Sequence, residues 1–275
     1  MHSDSRTDRL RALLDPAQTH TSDAAGIPSF IASERREETD AYNSGNAENG
    51  WKNFFKRWPK VYDVLVFFIG PSFFCGVTPR MFIKKYVPQG VVLNAGSGVK
   101  RLSDTCINVD LFPFPGVDLV ADLEHLPFRN GVFDGVTCDQ VIEHAERPQA
   151  ICKELIRITK QGGLIHVAAP FLFPWHPSPS DFSRWTLEGL ASLFPDCEVV
   201  KHGIMAGPWS ALTAFLAAFL ATVLCFGSAT LQGILQYVFL VLLFPLKFLD
   251  ALFGGLPGAE LCAANFFIIV RKTHA

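Results

Sequence analysis

The sequence lacks the paired cysteines of zinc-ribbon and disulfide-rich proteins and the excess of positive charge of nucleic-acid-binding proteins. Its seven cysteines are scattered over 275 residues, and no two of them form a C-x-x-C pair. This argues against a zinc ribbon and a disulfide framework, so we expect no metal and a reducing compartment. A formal net charge of −2 offers no attraction to nucleic acid. The first 40 residues contain no apolar segment typical of a secretory signal, and residues 1–50 are predicted to be a polar tail or linker.

Charge is also absent from a long segment near the C-terminus. Residues 203–246 contain no Asp, Glu, Lys or Arg. Two apolar stretches, 209–226 and 231–249, flank a Gly-Ser-Ala-Thr sequence, and each is close to the ~20 residues that cross a bilayer. We predict that residues 203–258 form an apolar helical hairpin associated with a membrane. Two alternatives stay open: a shallow re-entrant hairpin, and a helix pair buried in a core or dimer interface.

The orientation of this hairpin follows from its place in the chain. Both of its ends must return to the same sheet, so both ends face one compartment. No secretory signal precedes the hairpin, and Lys201, Arg271 and Lys272 flank it, which by the positive-inside rule predicts that this side is cytoplasmic. Lys247, near the end of the second stretch, is expected to extend toward the membrane surface.

Aromatic residues are concentrated between the tail and the core. Their spacing over residues 51–69 is helical, and Pro71 ends the pattern. We predict an aromatic-rich helical segment over residues 51–89 that packs on the core domain. Membrane contact is the alternative, although the apolar run 64–69 is too short to span a bilayer.

From residue 90 onward, strand patterns alternate with short helical ones. The apolar residues 91–93 run into Asn94-Ala95-Gly96-Ser97-Gly98, as a buried parallel strand runs into a glycine turn that approaches a ligand. Further strands are predicted at 105–110, 118–122, 131–138, 164–169, 197–202 and 265–270, with a helix at 148–160. This order predicts an α/β sheet whose ligands bind at the carboxyl ends of its strands.

An acid ends the second of these strands. Asp110 is placed to accept hydrogen bonds from ribose hydroxyls. Only residues 95–104 separate the first two strands, so the first crossover helix must be very short. A pyrophosphate cofactor such as NAD needs the N-terminus of that helix, which makes an NAD-linked enzyme a poor alternative.

Ordered motifs run through residues 90–194: 94–98, Asp110, 122–128, 132–134, 141–144 and 153–163. Together they resemble a class I S-adenosylmethionine-dependent methyltransferase of the methyltransferase type 11 group. The loop 170–190 resembles a branch of that group associated with cell-surface polysaccharide or lipid pathways. Residues 26–28 resemble a remnant of a zinc ribbon whose cysteines are absent, so no zinc is implied. The resemblance implies seven strands in the order 3-2-1-4-5-7-6, with strand 7 antiparallel.

The resemblance also implies S-adenosylmethionine as the cofactor and assigns residues to it by position. The implied cofactor-binding residues are Asn94, Ala95, Gly96, Gly98, Asp110, Asp122, Leu123, Asp139 and Gln140. The glycines would pass beneath the methionine part, Asp110 would hold the ribose, Asp122 and Leu123 would bracket the adenine, and Asp139 and Gln140 would line the methionine end. The chain departs from the family at Asn94, where an acid is usual, and at Lys100, where a third glycine is usual.

Two histidines are the predicted catalytic residues. Methyl transfer is an in-line displacement, so positioning supplies most of the catalysis, and a base is needed only if the acceptor loses a proton. Imidazole titrates near neutrality, which favours His144 and His176. For His144 the alternative is a helix-start residue bonded to the backbone. Asp181 and Arg184 are either an internal ion pair or a grip on an acidic acceptor.

Together these features predict a membrane-attached methyltransferase with its catalytic domain on the cytoplasmic side. Its expected partners are the membrane and a lipid, a lipid-linked saccharide or another small-molecule acceptor, without nucleic acid. The alternative function is a non-catalytic, membrane-tethered scaffold with a methyltransferase fold.

Overall fold

The computed structural model describes residues 2–22, 26–31, 58, 64, 67–177 and 180–273. Nine strands of these residues form one mixed sheet. The strands are β1 (Thr21–Ser22), β2 (Pro28–Ser29), β3 (Val92–Ala95), β4 (Cys106–Asp110), β5 (Leu119–Val120), β6 (Phe133–Asp139), β7 (Thr159–Pro170), β8 (Cys197–Ala206) and β9 (Asn265–Lys272).

The helices of the described residues lie between and around these strands. They are α1 (His2–Leu13), α2 (Pro79–Tyr86), α3 (Pro148–Ile158), α4 (Leu187–Ser192), α5 (Pro208–Leu224), α6 (Ala229–Leu243) and α7 (Asp250–Phe253), with 3₁₀ turns at Ile142–His144, Phe244–Leu249 and Ala259–Cys262. The chain is therefore a mixed α/β protein.

The strand order is β1-β2-β5-β4-β3-β6-β7-β9-β8. Strands β5, β4, β3, β6 and β7 are parallel, whereas β9 is antiparallel to both of its neighbours, β7 and β8. The carboxyl ends of β3, β4, β6 and β7 therefore lie along one edge, which we call the carboxyl edge. Because β9 is antiparallel to both β7 and β8, β8 runs in the same direction as β7. β8 therefore also ends at the carboxyl edge, and β9 begins there.

Apolar packing on both faces explains why the central strands are largely hydrophobic. Every residue of β3 and β4 is buried. On one face, α3 packs Ile151, Leu155 and Ile158 into the main core. On the other face, α2 buries Phe82 and Ile83 against the sheet. A parallel strand covered on both faces needs apolar residues at consecutive positions, which is the pattern seen in the sequence.

The beginning of the chain differs from the predicted polar tail. Residues 2–22 include a helix, and β2 joins the sheet because Ser29 pairs with Val120 of β5. Leu10 is buried in the main core, and the Asp15 amide donates to the Pro127 carbonyl at 2.9 Å. β2 thus covers the short β5, which would otherwise leave an open sheet edge. The predicted helix over 51–69 lies almost wholly outside the described residues.

The two helices of the apolar insert, α5 and α6, are consecutive in the chain and pack against each other, and we refer to this segment as the hairpin. The face of α5 that packs inward carries small side chains: Ser210, Ala211, Thr213, Ala214, Ala217 and Ala221. Its outer face exposes large ones, with Phe219 63% exposed, and in α6 Leu242 is 66% exposed. These outer faces are not buried against the described part of the chain. Ala229–Phe253, 25 residues with a hydropathy of 1.8, is the described helical segment long and apolar enough to cross a membrane.

The boundaries of the insert differ from the predicted 203–258. β8 extends to Ala206 and stays paired with β9, and the returning chain includes the 3₁₀ turn that ends at Cys262. Arg271 and Lys272 were expected beside the hairpin. They lie instead at the opposite ends of the strands, away from the carboxyl edge. There Arg271 pairs with Glu198 at 2.8 Å, and the Lys272 ammonium donates to the Thr159 carbonyl at 3.0 Å.

Two charged residues anchor the base of the hairpin. The Asp250 carboxylate caps α5, accepting hydrogen bonds from the Gly207, Trp209 and Ser210 amides at 2.9–3.1 Å and from the Ser210 hydroxyl at 2.6 Å. A carboxylate at a helix N-terminus is favourable because it pairs with unbonded amides and the helix dipole. Lys247, which was expected to extend toward a membrane surface, is instead 2% exposed, and its ammonium donates to the Gly70 carbonyl at 2.7 Å.

His166 is a core residue of β7, as its position in mid-strand predicts. It is fully buried, its Nε2 lies 2.7 Å from the Val77 carbonyl, and its Nδ1 lies 3.1 Å from the Thr137 hydroxyl. Burial lowers the pKa of His166. The unfolded chain therefore binds a proton below about pH 6.5 that the folded chain does not.

We expect this difference to weaken the fold in mild acid. His166 should contribute a loss of up to about 1.4 kcal/mol of unfolding free energy per pH unit as the pH falls below about 6.5, and no loss above it. Urea unfolding in detergent at pH 7.5, 6.5 and 5.5 measures the slope. His166→Gln should be less stable at pH 7.5 but have a shallower slope. An unchanged slope in this variant would show that His166 does not titrate differently on unfolding.

Candidate functional site

The first part of the site is the glycine turn after β3. Gly96 and Gly98 have φ values of +69° and +53°, in the left-handed region that favours glycine. A Cβ on Gly96 would lie 2.3 Å from a methyl of Val141, so no larger residue fits. A Cβ on Gly98 would meet no atom within 4 Å, so the turn has an open side there. The connection from Gly96 to Thr105 contains turns and no helix, in line with the short crossover expected from the sequence.

Asp110, at the end of β4, fixes this turn. One carboxylate oxygen accepts the Gly98 amide at 2.7 Å, and the other accepts the Phe112 amide at 3.0 Å. The carboxylate is largely buried at the carboxyl edge. Because a carboxylate accepts up to about four hydrogen bonds, these contacts leave its chemistry compatible with binding hydroxyl groups.

Asn94, at the position where the family usually has an acid, supports the turn through hydrogen bonds. Its amide nitrogen donates to the Lys100 carbonyl at 3.1 Å and to the Asn108 side-chain oxygen at 3.2 Å. Both partners are acceptors, so an aspartate here would bring three oxygens together without a donor. The Asn108 amide nitrogen in turn donates to the Gly116 carbonyl at 2.9 Å. The structure thus places Asn94 as a support of the turn, with Lys100 contributing its backbone.

The predicted adenine-binding pair lies next along the carboxyl edge. The Ala121 amide donates to the Asp110 carbonyl at 3.0 Å, which sets Asp122 and Leu123 beside the end of β4. One Asp122 carboxylate oxygen accepts the Glu124 amide at 2.9 Å, and Leu123 is buried.

The middle of the carboxyl edge carries buried polar atoms that lack a partner. In the described part of the chain these atoms are Asp139 Oδ1, Gln140 Nε2, both carboxylate oxygens of Glu143, Trp185 Nε1 and Asn265 Oδ1. Their residues follow β6 and β7 or begin β9. A buried polar atom without a partner costs about 1–3 kcal/mol, so such a concentration indicates the binding place of a polar ligand.

Gln140 links this group to the start of β9. It has a φ of +57°, and its side-chain oxygen accepts a hydrogen bond from the side-chain nitrogen of Asn265 at 2.5 Å. Its backbone amide donates to the Ala168 carbonyl at 2.9 Å. The sequence-based prediction assigned Asp139 and Gln140 to the cofactor site and named neither Glu143 nor Asn265. The available signals were the position of Glu143 beside His144 and a single amide residue opening an apolar strand.

The structure brings the two predicted catalytic histidines together. The rings of His144 and His176 have centroids 5.2 Å apart. His144 Nδ1 contacts the Ser180 carbonyl at 2.5 Å, and His176 Nδ1 contacts the Pro174 carbonyl at 3.0 Å. Burial lowers the pKa of both imidazoles. The backbone contact proposed as the alternative for His144 is therefore present, alongside the contact with His176.

Asp181 and Arg184 form an internal ion pair that supports His176. The Arg184 guanidinium donates to both carboxylate oxygens of Asp181, at 2.5 and 2.7 Å, and to the Phe173 carbonyl at 3.0 Å. The Asp181 carboxylate also accepts the His176 amide at 2.8 Å. Burial opposes the charge of Asp181, but these donors outweigh it and lower its pKa to about 2. Arg184 is thus committed to the loop rather than to an acceptor.

A family model described as a methyltransferase domain matches residues 99–167. The chain carries a class I S-adenosylmethionine-dependent methyltransferase domain. S-adenosylmethionine is accordingly its cofactor. The matched part of the methyltransferase domain includes Asp110, Asp122, Asp139 and His144, whereas the glycine turn and His176 lie outside it.

Two solved structures are similar to the chain. Phosphoethanolamine N-methyltransferase 2 from Haemonchus contortus, in complex with S-adenosyl-L-methionine, has a TM-score of 0.51 at 15% identity, covering 89% of this chain and 61% of that chain. A SAM-dependent methyltransferase from Thermotoga maritima has a TM-score of 0.45 at 15% identity, covering 79% of this chain and 97% of that chain. None of the curated proteins matches the chain in sequence.

The position of Asp110 generates a binding prediction for the methyltransferase. Asp110→Ala should weaken binding of S-adenosylmethionine by roughly 1–3 kcal/mol, because it removes an acceptor and frees the Gly98 amide that the carboxylate holds. Calorimetric titration measures this change. The exposed Asp196→Ala is the matched control and should bind like the wild type. Equal affinity in a folded Asp110→Ala variant would remove Asp110 from the cofactor site.

Proposed function

We propose that this methyltransferase is attached to a membrane and methylates a lipid, a lipid-linked saccharide or another small molecule at the membrane surface. The observation that carries the proposal is the place where the apolar hairpin joins the sheet. The chain leaves β8 at Ala206 and re-enters at Asn265, and these two residues pair with each other. Asn265 is hydrogen-bonded to Gln140, so the base of the hairpin adjoins the polar atoms that lack partners.

The hairpin has the surface of a membrane-inserted element. Large apolar side chains cover its outer faces, and Phe226 at the turn between the helices is 89% exposed. Soluble monomers rarely expose apolar patches larger than a few hundred Å². α5, with 17 residues, is about 26 Å long, slightly less than the ~30 Å hydrocarbon core, so the proposal requires insertion rather than full crossing.

The proposed location of the catalytic domain is the cytoplasmic side. All seven cysteines are free thiols, as in proteins of a reducing compartment. Both ends of the hairpin return to one sheet, so the domain lies on a single side of the membrane.

The residues of the carboxyl edge fit the cofactor. In this proposal Gly96 and Gly98 pass beneath its methionine part, and Asp110 accepts its ribose hydroxyls, as the open side of the turn allows. Asp122 and Leu123 flank the adenine. Asp139 Oδ1 and Gln140 Nε2, an acceptor and a donor without partners, suit the amino and carboxylate groups of the methionine end.

The histidines lie on the proposed acceptor side. Bound S-adenosylmethionine supplies a methyl group on a positively charged sulfur. That methyl group would pass to the acceptor atom, and the electron pair of the carbon–sulfur bond would stay on sulfur. A hydroxyl acceptor must also lose a proton, and His144 and His176 are placed to promote that loss.

Fractionation and a shortened variant test the membrane attachment. The full chain should stay in the membrane fraction through a carbonate wash, because apolar insertion does not depend on charge. A variant with residues 208–261 replaced by a short Gly-Ser turn should be soluble, bind S-adenosylmethionine and lose transfer of labelled methyl groups to extracted membrane lipids. A full chain that is soluble without detergent refutes the attachment. A chain that binds no S-adenosylmethionine in calorimetry supports the scaffold alternative.

A second test concerns His176. His176→Ala should lower methyl transfer to extracted membrane lipids by roughly 10²-fold or more while leaving the affinity for S-adenosylmethionine nearly unchanged. The exposed His125→Ala is the matched control and should retain full activity. A parallel loss of cofactor affinity in His176→Ala would mean that the loop supports the fold or the cofactor rather than the acceptor.

A further inference from the structure

Glu143, His144 and His176 converge on one point at the acceptor side of the carboxyl edge. One ligand atom from each of these side chains lies within 4.8 Å of the other two. Glu143 and His144 come from the 3₁₀ turn after β6, and His176 comes from the loop after β7. Two imidazoles and one carboxylate from separate segments form a ligand set typical of zinc and other first-row transition metals.

Glu143 gives an independent sign that this point receives a cation. Its side chain is fully buried, and neither carboxylate oxygen has a hydrogen-bond partner. Glu143 Oε1 lies 3.9 Å from His144 Nε2. Among the described residues, no donor therefore reaches either oxygen of this carboxyl group. A buried carboxyl group in this state lacks the positive partner that would make its charge favourable.

Backbone carbonyls orient both imidazoles as metal ligands. A carbonyl oxygen only accepts, so a hydrogen on Nδ1 satisfies the contacts with the Ser180 and Pro174 carbonyls, while the Arg184 guanidinium lies farther from His176 Nδ1, at 3.4 Å. The Nε2 atoms are then unprotonated and have the lone pair that a metal needs. His176 Nδ1 also lies 3.3 Å from the Asp181 carboxylate. Metal-ligating histidines usually have their second nitrogen held in this way by a carbonyl or carboxylate.

We propose that Glu143, His144 and His176 bind a divalent first-row transition metal ion that coordinates an oxygen atom of the acceptor. This inference rests on the proposed methyltransferase function and makes it more specific, because it assigns an oxygen nucleophile as the methyl acceptor. It also replaces the sequence-based expectation of no metal, which rested on cysteine spacing and took no account of side chains brought together by the fold.

The proposed ion acts on the proton of the acceptor. A hydroxyl bound to a divalent ion loses its proton more readily, as zinc-bound water does, and the proton passes to solvent water. The resulting oxygen attacks the methyl carbon, an oxygen–carbon bond forms, and the electron pair of the carbon–sulfur bond stays on sulfur. His144 and His176 then promote proton loss as ligands of the ion.

Cobalt titration of the full chain in detergent, without a polyhistidine tag and after treatment with a chelator, tests the site directly. We expect one Co²⁺ per chain with visible absorption of a nitrogen- and oxygen-ligated ion, displaced by Zn²⁺. Glu143→Gln and His176→Ala should each weaken Co²⁺ binding by roughly tenfold or more, since each removes a charge or a ligand. The exposed His202→Ala is the matched control and should bind Co²⁺ like the wild type.

Glu143→Gln keeps the size and shape of the side chain, so it should fold even if His176→Ala does not. Absence of Co²⁺ binding, or equal affinity in wild type and in a folded Glu143→Gln variant, overturns the inference. Calorimetry with S-adenosylmethionine on the same samples distinguishes failure of the metal site from failure of the methyltransferase function. Cofactor binding without metal binding refutes the metal site alone, and metal binding without cofactor binding refutes the methyltransferase function.

Discussion

The antiparallel insertion of β9 between β7 and β8 is the constraint on which the rest of the molecule depends. A strand that runs against its neighbours begins where they end, so β9 begins at the carboxyl edge. Whatever connects β8 to β9 must then emerge at the edge where a sheet of this kind binds ligands. The apolar hairpin lies beside the site for this reason, and the hydrogen bond between Gln140 and Asn265 marks the junction.

Parts of this structure could be predicted from the sequence because their signals are local. The strand patterns that become β4 and β6 and the glycine turn after β3 follow from neighbouring residues alone. The methyltransferase domain and its cofactor were predicted from a resemblance to a known family, which several ordered motifs carry. The helix predicted over 148–160 begins at Pro148 as expected but ends at Ile158, since β7 starts at the next residue.

Other features depend on residues far apart in the chain and gave no local signal. β1 and β2 are two residues long, too short for a period of alternation, and β2 is defined by its pairing with β5. The meeting of Glu143 with His176 requires the loop after β7 to fold back over the 3₁₀ turn after β6, which the Asp181–Arg184 ion pair secures. The role of Asn94 likewise depends on two acceptors that face it only in the folded turn.

The contacts of Asp250 and Lys247 have a consequence for how the molecule selects what it acts on. Both charges are used at the base of the hairpin, one on the first turn of α5 and the other on the backbone before α2, so the hairpin cannot swing freely about the sheet. In the proposed membrane-bound state, an element held this firmly would set a constant height between the membrane surface and the candidate site. The protein would then select acceptors by the distance between their reactive group and that surface.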